Sequence, residues 1–204
     1  MKLTFIRAAE VLLKAIEARD AYCAAHSRKV ALFAKVIAGE MGMTFKEQEH
    51  LYLAGLLHDI GKVGIKDAYL SKPGKLSPAE WLEIKRHPVI GWEIIKVIPG
   101  SRDISLMVLY HHERYDGNGY PEGLQGGTIP LGSRILAVAD AFDAMTADRV
   151  YRPKLEQEAA VAELMRCSGS QFDPSVVKAF CRALARHESV TIAGQKNEPS
   201  LVLK

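Results

Sequence analysis

The chain has 204 residues and is 48% hydrophobic, which is enough for one domain with a single sizeable core. Its net charge of +3 is mild and its basic residues are scattered, which argues against a nucleic-acid polymer or a membrane surface as partner and is compatible with a small anionic ligand. The longest apolar runs fall far below the roughly 18 to 20 residues of a membrane span, and the start of the chain continues into an amphipathic helix instead of a cleavable signal. Three cysteines without a CxxC pair predict reduced, mostly buried thiols. We therefore expect a cytoplasmic protein.

Apolar residues recur at helical spacing along most of the chain. The first two faces consist of Phe5, Ala9, Leu12, Leu13 and Ile16, and then of Val30, Phe33, Val36 and Ile37. Capping boxes that begin at Thr44 and Ser77 predict two further helix starts, and Asp173 before a proline predicts another. Alternation typical of strands is confined to short pieces such as Val190 to Ala193. The sequence predicts an all-α fold.

The region from Tyr115 to Leu131 is too rich in glycine and proline to be regular. It is long for a connection within a compact domain, and loops of this length are often functional. At the C-terminal end the helical periodicity is lost, so we expect one domain over residues 1–193 and a loosely held tail over residues 194–204.

Histidine and aspartate residues recur on the apolar faces of the predicted helices. They are more numerous than one metal ion requires, because neutral imidazoles bind first-row transition metals and one carboxylate can bridge two ions. A single buried histidine is most often a core residue satisfied by a hydrogen bond. Several together with carboxylates favour a metal centre, since burying unpaired carboxylates is costly. The candidate ligands are His26, His58, Asp59, His87, His111, His112 and Asp140.

Two motifs connect the chain to a known family. Residues 58–62 read HDIGK and residues 111–121 read HHERYDGNGYP. They resemble the HD signature with its lysine and the extended GYP motif of the HD-GYP domain, a bacterial branch of the HD phosphohydrolase superfamily. The resemblance runs from Ala15 to Phe180, and it also takes in Lys72 to Leu76, His87 and Pro88, Ile129 to Leu131, Asp140 to Asp143, and Asp148 to Arg152.

The resemblance implies a helical bundle whose iron- or manganese-type metal centre opens cyclic di-GMP to linear pGpG and, in some members, goes on to GMP. It also implies that the seven candidate ligands hold the metal. Some members place a glutamate four residues before the first histidine and use it to hold a third metal, whereas this chain has Tyr22 there. We therefore expect two ions, with three as the alternative.

The family pattern suggests how the ligands divide. One ion would take His26, His58, Asp59 and Asp140, and the other Asp59, His87, His111 and His112. Two cations that share a water lower its pKa, provide hydroxide near neutral pH and neutralise charge on the phosphoryl oxygens, so no protein nucleophile is required. This ligand set suits iron or manganese better than magnesium or calcium, and seven ligands favour ions of higher coordination number than zinc.

The candidate catalytic residues are Asp59 and Lys62, and the candidate substrate-binding residues are Lys62, Tyr120, Arg149 and Arg152. If the helix continues past the HD pair, Lys62 lies one turn further and can meet a phosphate oxygen; the alternative is a solvated surface lysine. Tyr120 offers a ring to guanine and a hydroxyl to phosphate, and the resemblance places it at the ligand. Arg149 and Arg152 match family positions that contact phosphates, with ordinary helix-end cations as the alternative.

Some roles and functions stay open. Asp143 shares a helical face with Asp140. It either supports a metal ligand from behind or is a capping or salt-bridge residue. Glu113 and Arg114 receive no role. In the family, the loop region also contacts GGDEF-type partners. The chain is either a stand-alone protein or part of a larger one.

Three functions follow in order of preference. The first is a cyclic di-GMP phosphodiesterase, favoured because every histidine and aspartate of the pattern is present. The second is an HD phosphohydrolase that acts on another cyclic dinucleotide or nucleotide. The third is a non-catalytic module that binds the dinucleotide or acts as a scaffold.

Overall fold

A computed structural model describes residues 7–9, 11–14, 21–147 and 154–194, which are mostly helical and contain no β-strand. The helices are α1 (Ala21–Glu40), α2 (Phe45–Leu57), α3 (Asp67–Leu70), α4 (Pro78–Ile84), α5 (His87–Ile95), α6 (Arg102–Leu109), α7 (Leu131–Thr146), α8 (Gln157–Arg166) and α9 (Pro174–Gly194), with 3-10 helices at Ile60–Gly64 and Gly126–Thr128. Residues 7–9 and 11–14 are also helical. None of these described helices is both long and apolar enough to cross a lipid bilayer. The all-α prediction is confirmed.

The predicted helix starts agree with the structure. Thr44 begins α2 and Ser77 begins α4, each through the reciprocal capping box that the sequence predicts. Asp173 begins α9, where its carboxylate accepts a hydrogen bond from the backbone N–H of Ser175 at 2.7 Å. Local sequence is therefore sufficient to set these helix boundaries.

The strand-like reading of Val190 to Ala193 is wrong, because α9 continues through these residues to Gly194. Val, Thr and Ile favour strands locally, but a helix that is already formed gains one hydrogen bond for each residue it adds. Gly194 is thus the last residue of α9, and the division into a domain over residues 1–193 and a loosely held tail stays a prediction. Residues 195–204, with Phe5, Ile16, Arg149 and Arg152, lie outside the described residues.

Helix α1 lies at the centre of the bundle, where it packs against α2, α7 and α9. Phe33 on α1 meets Phe142 on α7 and Phe180 on α9, with ring centroids 5.1 and 5.9 Å apart in edge-on arrangements. Helix α2 also packs against α6, and α6 against α5. The ends of α2 and α6 and the start of α5 are thereby held beside α1 and α7.

The chain turns sharply after α2, and Gly61 permits the turn to lie against α5. A Cβ atom at Gly61 would overlap the carbonyl oxygen of His87 and the backbone nitrogen of Gly91. Because the obstructing atoms belong to the backbone, a rotamer change cannot relieve the overlap. Gly61 therefore sets how closely the segment with Asp59 approaches His87.

The region that the sequence predicts to be irregular, which we call the GYP loop (residues 115–131), is irregular up to α7 apart from one 3-10 turn. Glu113 holds it in place. The buried carboxylate of Glu113 accepts hydrogen bonds from three consecutive backbone N–H groups, those of residues 122–124, at 2.7, 3.0 and 3.1 Å. A charged acceptor makes each of these bonds stronger than a neutral one. Glu113 thus fixes the part of the loop at residues 122–124.

We predict that Gly61→Ala lowers the free energy of unfolding by about 3 kcal/mol or more, since overpacking against backbone exceeds the usual cost of an extra methyl group. Gly127→Ala is the matched control, because a Cβ atom there meets nothing within 4 Å. Urea unfolding of both variants measures the difference. Equal stability of the two would show that the turn adapts to the methyl group.

We predict that Glu113→Ala lowers the free energy of unfolding by about 3 kcal/mol, because three N–H groups lose a charged acceptor. The control is Glu122→Ala: Glu122 is exposed, and its carboxylate accepts only the Tyr110 hydroxyl, at 3.1 Å, among the described contacts. The free energy of unfolding of Glu122→Ala is expected to lie within about 0.5 kcal/mol of that of wild type. Comparable losses in the two variants would contradict the role of Glu113.

Candidate metal centre

Three histidines are oriented by the same hydrogen bond. In His58, His87 and His111, Nδ1 lies 2.8, 2.8 and 2.6 Å from the carbonyl oxygen of the residue three positions earlier. These carbonyls belong to the last turns of α2, α4 and α6, where helices leave C=O groups without intrahelical partners. Since a carbonyl only accepts, Nδ1 carries the hydrogen, and Nε2 keeps a lone pair available for a metal.

The structure brings the candidate ligands into two adjacent groups. His26, His58 and Asp140 form one group, and His87, His111 and His112 form the other; within each group the ligand atoms lie within 4.8 Å of one another. Helix α1 supplies His26 and helix α7 supplies Asp140, while the remaining members lie at helix ends. Six of the seven candidate residues thus lie in these two groups, and Asp59 forms a third group with His58 and His111.

Asp59 lies between the two groups. One of its carboxylate oxygens, Oδ2, is 3.4 Å from Nε2 of His58, and the other, Oδ1, is 3.4 Å from Nε2 of His87. Its side chain is only 4% exposed. A carboxylate with one oxygen toward each group could bridge two ions, one held by each group.

The donor set fits metal ions. Nε2 of His58 is buried and has no hydrogen-bond partner, and such an atom is costly unless something coordinates it. Burial lowers the pKa of His87, lowers that of His112 to about 4, and lowers that of His111 well below its ordinary value. These three imidazoles are thus neutral near pH 7, which is the form that binds metal.

His26 is in a different electrostatic environment. Its Nε2 lies 3.1 Å from Oδ1 of Asp140, and its Nδ1 lies 2.6 Å from Oδ2 of Asp143. Burial alone would lower the pKa of His26, but the hydrogen bonds to these two carboxylates outweigh burial and raise the pKa to about 9. Without metal the imidazole is therefore protonated, and a cation at Asp140 would take the place of the Nε2 proton.

Asp143 is a site residue that the sequence leaves undecided. It is 2% exposed, and its bond to Nδ1 of His26 directs Nε2 toward Asp140. Carboxylates of this kind orient metal-binding histidines and raise their basicity. The signal in the sequence is the spacing of three residues from Asp140, which puts both carboxylates on one face of α7.

The contact of Lys62 with the centre depends on the turn that follows α2. Helix α2 ends at Leu57, and Lys62 lies in the following 3-10 helix, so the α-helical alignment with the HD pair does not form. Its Nζ donates instead to Oδ2 of Asp59 at 2.6 Å. Burial would lower the pKa of Lys62, but the charge of Asp59 raises it above the ordinary value. The side chain is 33% exposed, so it contacts both the carboxylate and solvent.

Tyr120 lies next to the centre. Its ring centroid is 4.9 Å from that of His112, with a tilt of 33° between the planes. Arg149 and Arg152 lie outside the described residues, as do the motif residues around them and the side chain of Tyr22. The position of Tyr120 is thus compatible with a contact to a substrate at the centre. The roles of the two arginines and the number of metals stay predictions.

Comparisons with known proteins identify the family. The HD domain family matches residues 10–176. The cyclic di-GMP phosphodiesterase response regulator RpfG of Xanthomonas campestris pv. campestris is 42% identical over 184 residues, covering 88% of this chain and 48% of that protein. The 3'3'-cGAMP-specific phosphodiesterase 3 of Vibrio cholerae is 37% identical over 171 residues, covering 84% of this chain and 37% of that protein. The chain spans less than half the length of these relatives.

Solved structures share the fold. The HD domain of the Listeria monocytogenes phosphodiesterase PgpH in complex with cyclic di-AMP matches with a TM-score of 0.61 and 20% identity, covering 94% of this chain and 99% of that one. The V. cholerae cyclic GMP-AMP phosphodiesterase V-cGAP3 matches with a TM-score of 0.64 and 20% identity, covering 81% of this chain and 45% of that one. Together with the two motifs and the grouped ligands, these matches show that the chain belongs to the HD domain family, in its HD-GYP branch.

Proposed function

We propose that this chain is a metal-dependent phosphodiesterase that hydrolyses cyclic di-GMP to linear pGpG, with further cleavage to GMP as a second step. The observation that carries the proposal is the position of Asp59, whose two oxygens face separate groups of ligands. Two clamped ions are a recurring arrangement for in-line displacement at phosphorus. The choice of cyclic di-GMP is supported by relatives with that printed substrate, including RpfG.

The residues divide into two sets of ligands. We assign His26, His58 and Asp140 to one ion, and His87, His111 and His112 to the other, with Asp59 shared. Iron or manganese is the proposed metal, because imidazole-rich sites with carboxylates suit these ions. When bound, the two ions lower the pKa of water and neutralise charge on the phosphoryl group.

Lys62 is proposed as the catalytic cation of the chain itself. Its ammonium donates to Oδ2 of Asp59 at 2.6 Å. An ammonium has three donors, so Lys62 can keep this bond and still donate to a phosphate oxygen. Charge fixed in advance beside the reacting phosphate stabilises the transition state with little reorganisation.

The substrate would lie over the centre and along the GYP loop. Tyr120 supplies a ring next to His112, and Arg149 and Arg152 are proposed to pair with phosphate because guanidinium groups donate in a planar fork. A GGDEF-type partner at the GYP loop is a proposal that rests on the family resemblance. Cys23, Cys167 and Cys181 form no disulfide among the described residues, which is compatible with the proposed cytoplasmic location.

A second candidate substrate is 3'3'-cGAMP. Relatives from V. cholerae with that specificity in their names are 36% to 39% identical to this chain, close to the values for those named for cyclic di-GMP. A purely binding or scaffolding role has less support, because none of the candidate ligands points away from the two groups.

We predict that protein reconstituted anaerobically with Fe²⁺, or with Mn²⁺, contains about two ions per chain and hydrolyses cyclic di-GMP faster than 3'3'-cGAMP or cyclic di-AMP. Mg²⁺ or Ca²⁺ should restore little activity, since these ions prefer all-oxygen sites. Elemental analysis and product chromatography provide the measurements. Faster turnover of 3'3'-cGAMP would make it the preferred substrate in place of cyclic di-GMP. Full activity with Mg²⁺ alone in stripped protein would contradict the proposal that the histidine ligands hold the catalytic metals.

We predict that Lys62→Ala lowers kcat roughly 100-fold, the effect of removing one fixed donor at a transition state, and leaves the metal content unchanged. Lys66→Ala is the matched control, because the exposed Lys66 packs on the ring of Tyr69, 5.6 Å from its centroid. Steady-state kinetics and metal analysis of both variants test this. A loss of stability with unchanged kcat in Lys62→Ala would favour a structural role.

A further inference from the structure

Lys85 lies at the edge of the centre, directly after α4 and two residues before His87. Its ammonium nitrogen is 5.1 Å from the ring centroid of Tyr120 and 5.9 Å from that of Trp81. The two rings come from different parts of the chain, one from the GYP loop and the other from α4. Lys85 is thus held beside Tyr120, whose ring contacts His112.

The charge of Lys85 is not matched by a carboxylate among the described residues. Its neighbour Glu83 pairs with Arg86 at 2.9 Å, and elsewhere Lys72 pairs with Glu80 at 2.7 Å. The side chain of Lys85 is half-buried. Contact with aromatic rings stabilises an ammonium but does not neutralise it, so Lys85 presents a fixed positive charge near the centre.

The chemistry of a cyclic dinucleotide calls for such a charge, and here the role of Lys85 rests on the proposed function. The ring of this substrate contains two phosphodiester groups, each with one negative charge. Only one of them can lie at the metal ligands during a single cleavage. The ammonium of Lys62 is bonded to Oδ2 of Asp59, the oxygen that lies near His58, whereas the ammonium of Lys85 lies beside Tyr120, whose ring contacts His112. Arg149 and Arg152, which are proposed to pair with phosphate, lie outside the described residues. Among the described residues, Lys85 is a cation placed for the second phosphate.

We propose that Lys85 binds the phosphate of the cyclic dinucleotide that is not being cleaved. The rings of Trp81 and Tyr120 restrict the ammonium before substrate arrives, so less side-chain entropy is lost on binding. This contact is made equally in the ground state and the transition state, and its loss affects KM more than kcat. A substrate with one phosphodiester has no group for Lys85 to bind.

The test compares cyclic di-GMP with bis(p-nitrophenyl) phosphate, which has a single phosphodiester. Lys85→Met and Lys85→Gln should raise KM for cyclic di-GMP between about tenfold and about a hundredfold, the range for a lost hydrogen bond to a charged group. Both variants should leave kcat/KM for bis(p-nitrophenyl) phosphate and the metal content unchanged. Lys85→Arg should recover most of the affinity, because it keeps the cation and packs on aromatic rings.

Lys96→Met is the matched control. Lys96 also lies over an aromatic ring, 3.8 Å from the centroid of Trp92, but it follows the last residue of α5, about 13 Å along the helix from His87 at the usual rise per residue. The KM of Lys96→Met for cyclic di-GMP should equal that of wild type.

Each other outcome has a defined meaning. Equal losses on both substrates, or a loss of metal from the Lys85 variants, would mean that Lys85 only supports Tyr120 and His112, and would overturn the inference. An unchanged KM for cyclic di-GMP in Lys85→Met and Lys85→Gln would also overturn it while leaving the proposed function intact. Wild-type protein that hydrolyses bis(p-nitrophenyl) phosphate but no cyclic dinucleotide would reject the proposed function and the inference together.

Discussion

The hydrogen bond from an imidazole Nδ1–H to a helix-end carbonyl is the interaction on which the candidate centre depends. It occurs at the ends of α2, α4 and α6, through His58, His87 and His111. Each bond satisfies a carbonyl that the helix leaves unpaired, and it also fixes the tautomer and direction of the ring. The packing that brings three helix ends together therefore also brings three Nε2 atoms together. Helix termination and ligand placement share one cause.

Buried charge explains the remaining geometry. Burial would raise the pKa of Asp59, but Lys62 and the nearby histidines outweigh burial and keep the pKa well below its ordinary value. At Asp140, burial is likewise outweighed, chiefly by the hydrogen bond from His26, and its pKa is lowered. Both carboxylates thus stay ionised with protein cations beside them. Since partner cations are what make buried carboxylates tolerable, the same positions suit metal ions.

The sequence predicted the helices and the identity of the grouped side chains, because capping boxes and apolar periodicity are local signals. It could not predict the direction of Lys62, which depends on the approach of α5 to Gly61, and the obstructing atoms belong to His87 and Gly91. Nor could it assign Glu113, whose partners are backbone N–H groups in a loop without regular spacing. Contacts with backbone groups leave no pattern of side chains in the sequence from which they could be predicted.

One short segment links the centre to the proposed substrate site. His112 belongs to the histidine group, Glu113 fixes the loop, and Tyr120 returns to the ring of His112. A change in the loop conformation would therefore move a candidate ligand and a proposed substrate contact together. Cyclic dinucleotides with the same 3'3' linkage carry the same two phosphodiesters and differ in their bases. Residues that hold metal or phosphate cannot distinguish these substrates. Selectivity among them must therefore come from other groups, which contact the edges of the bases.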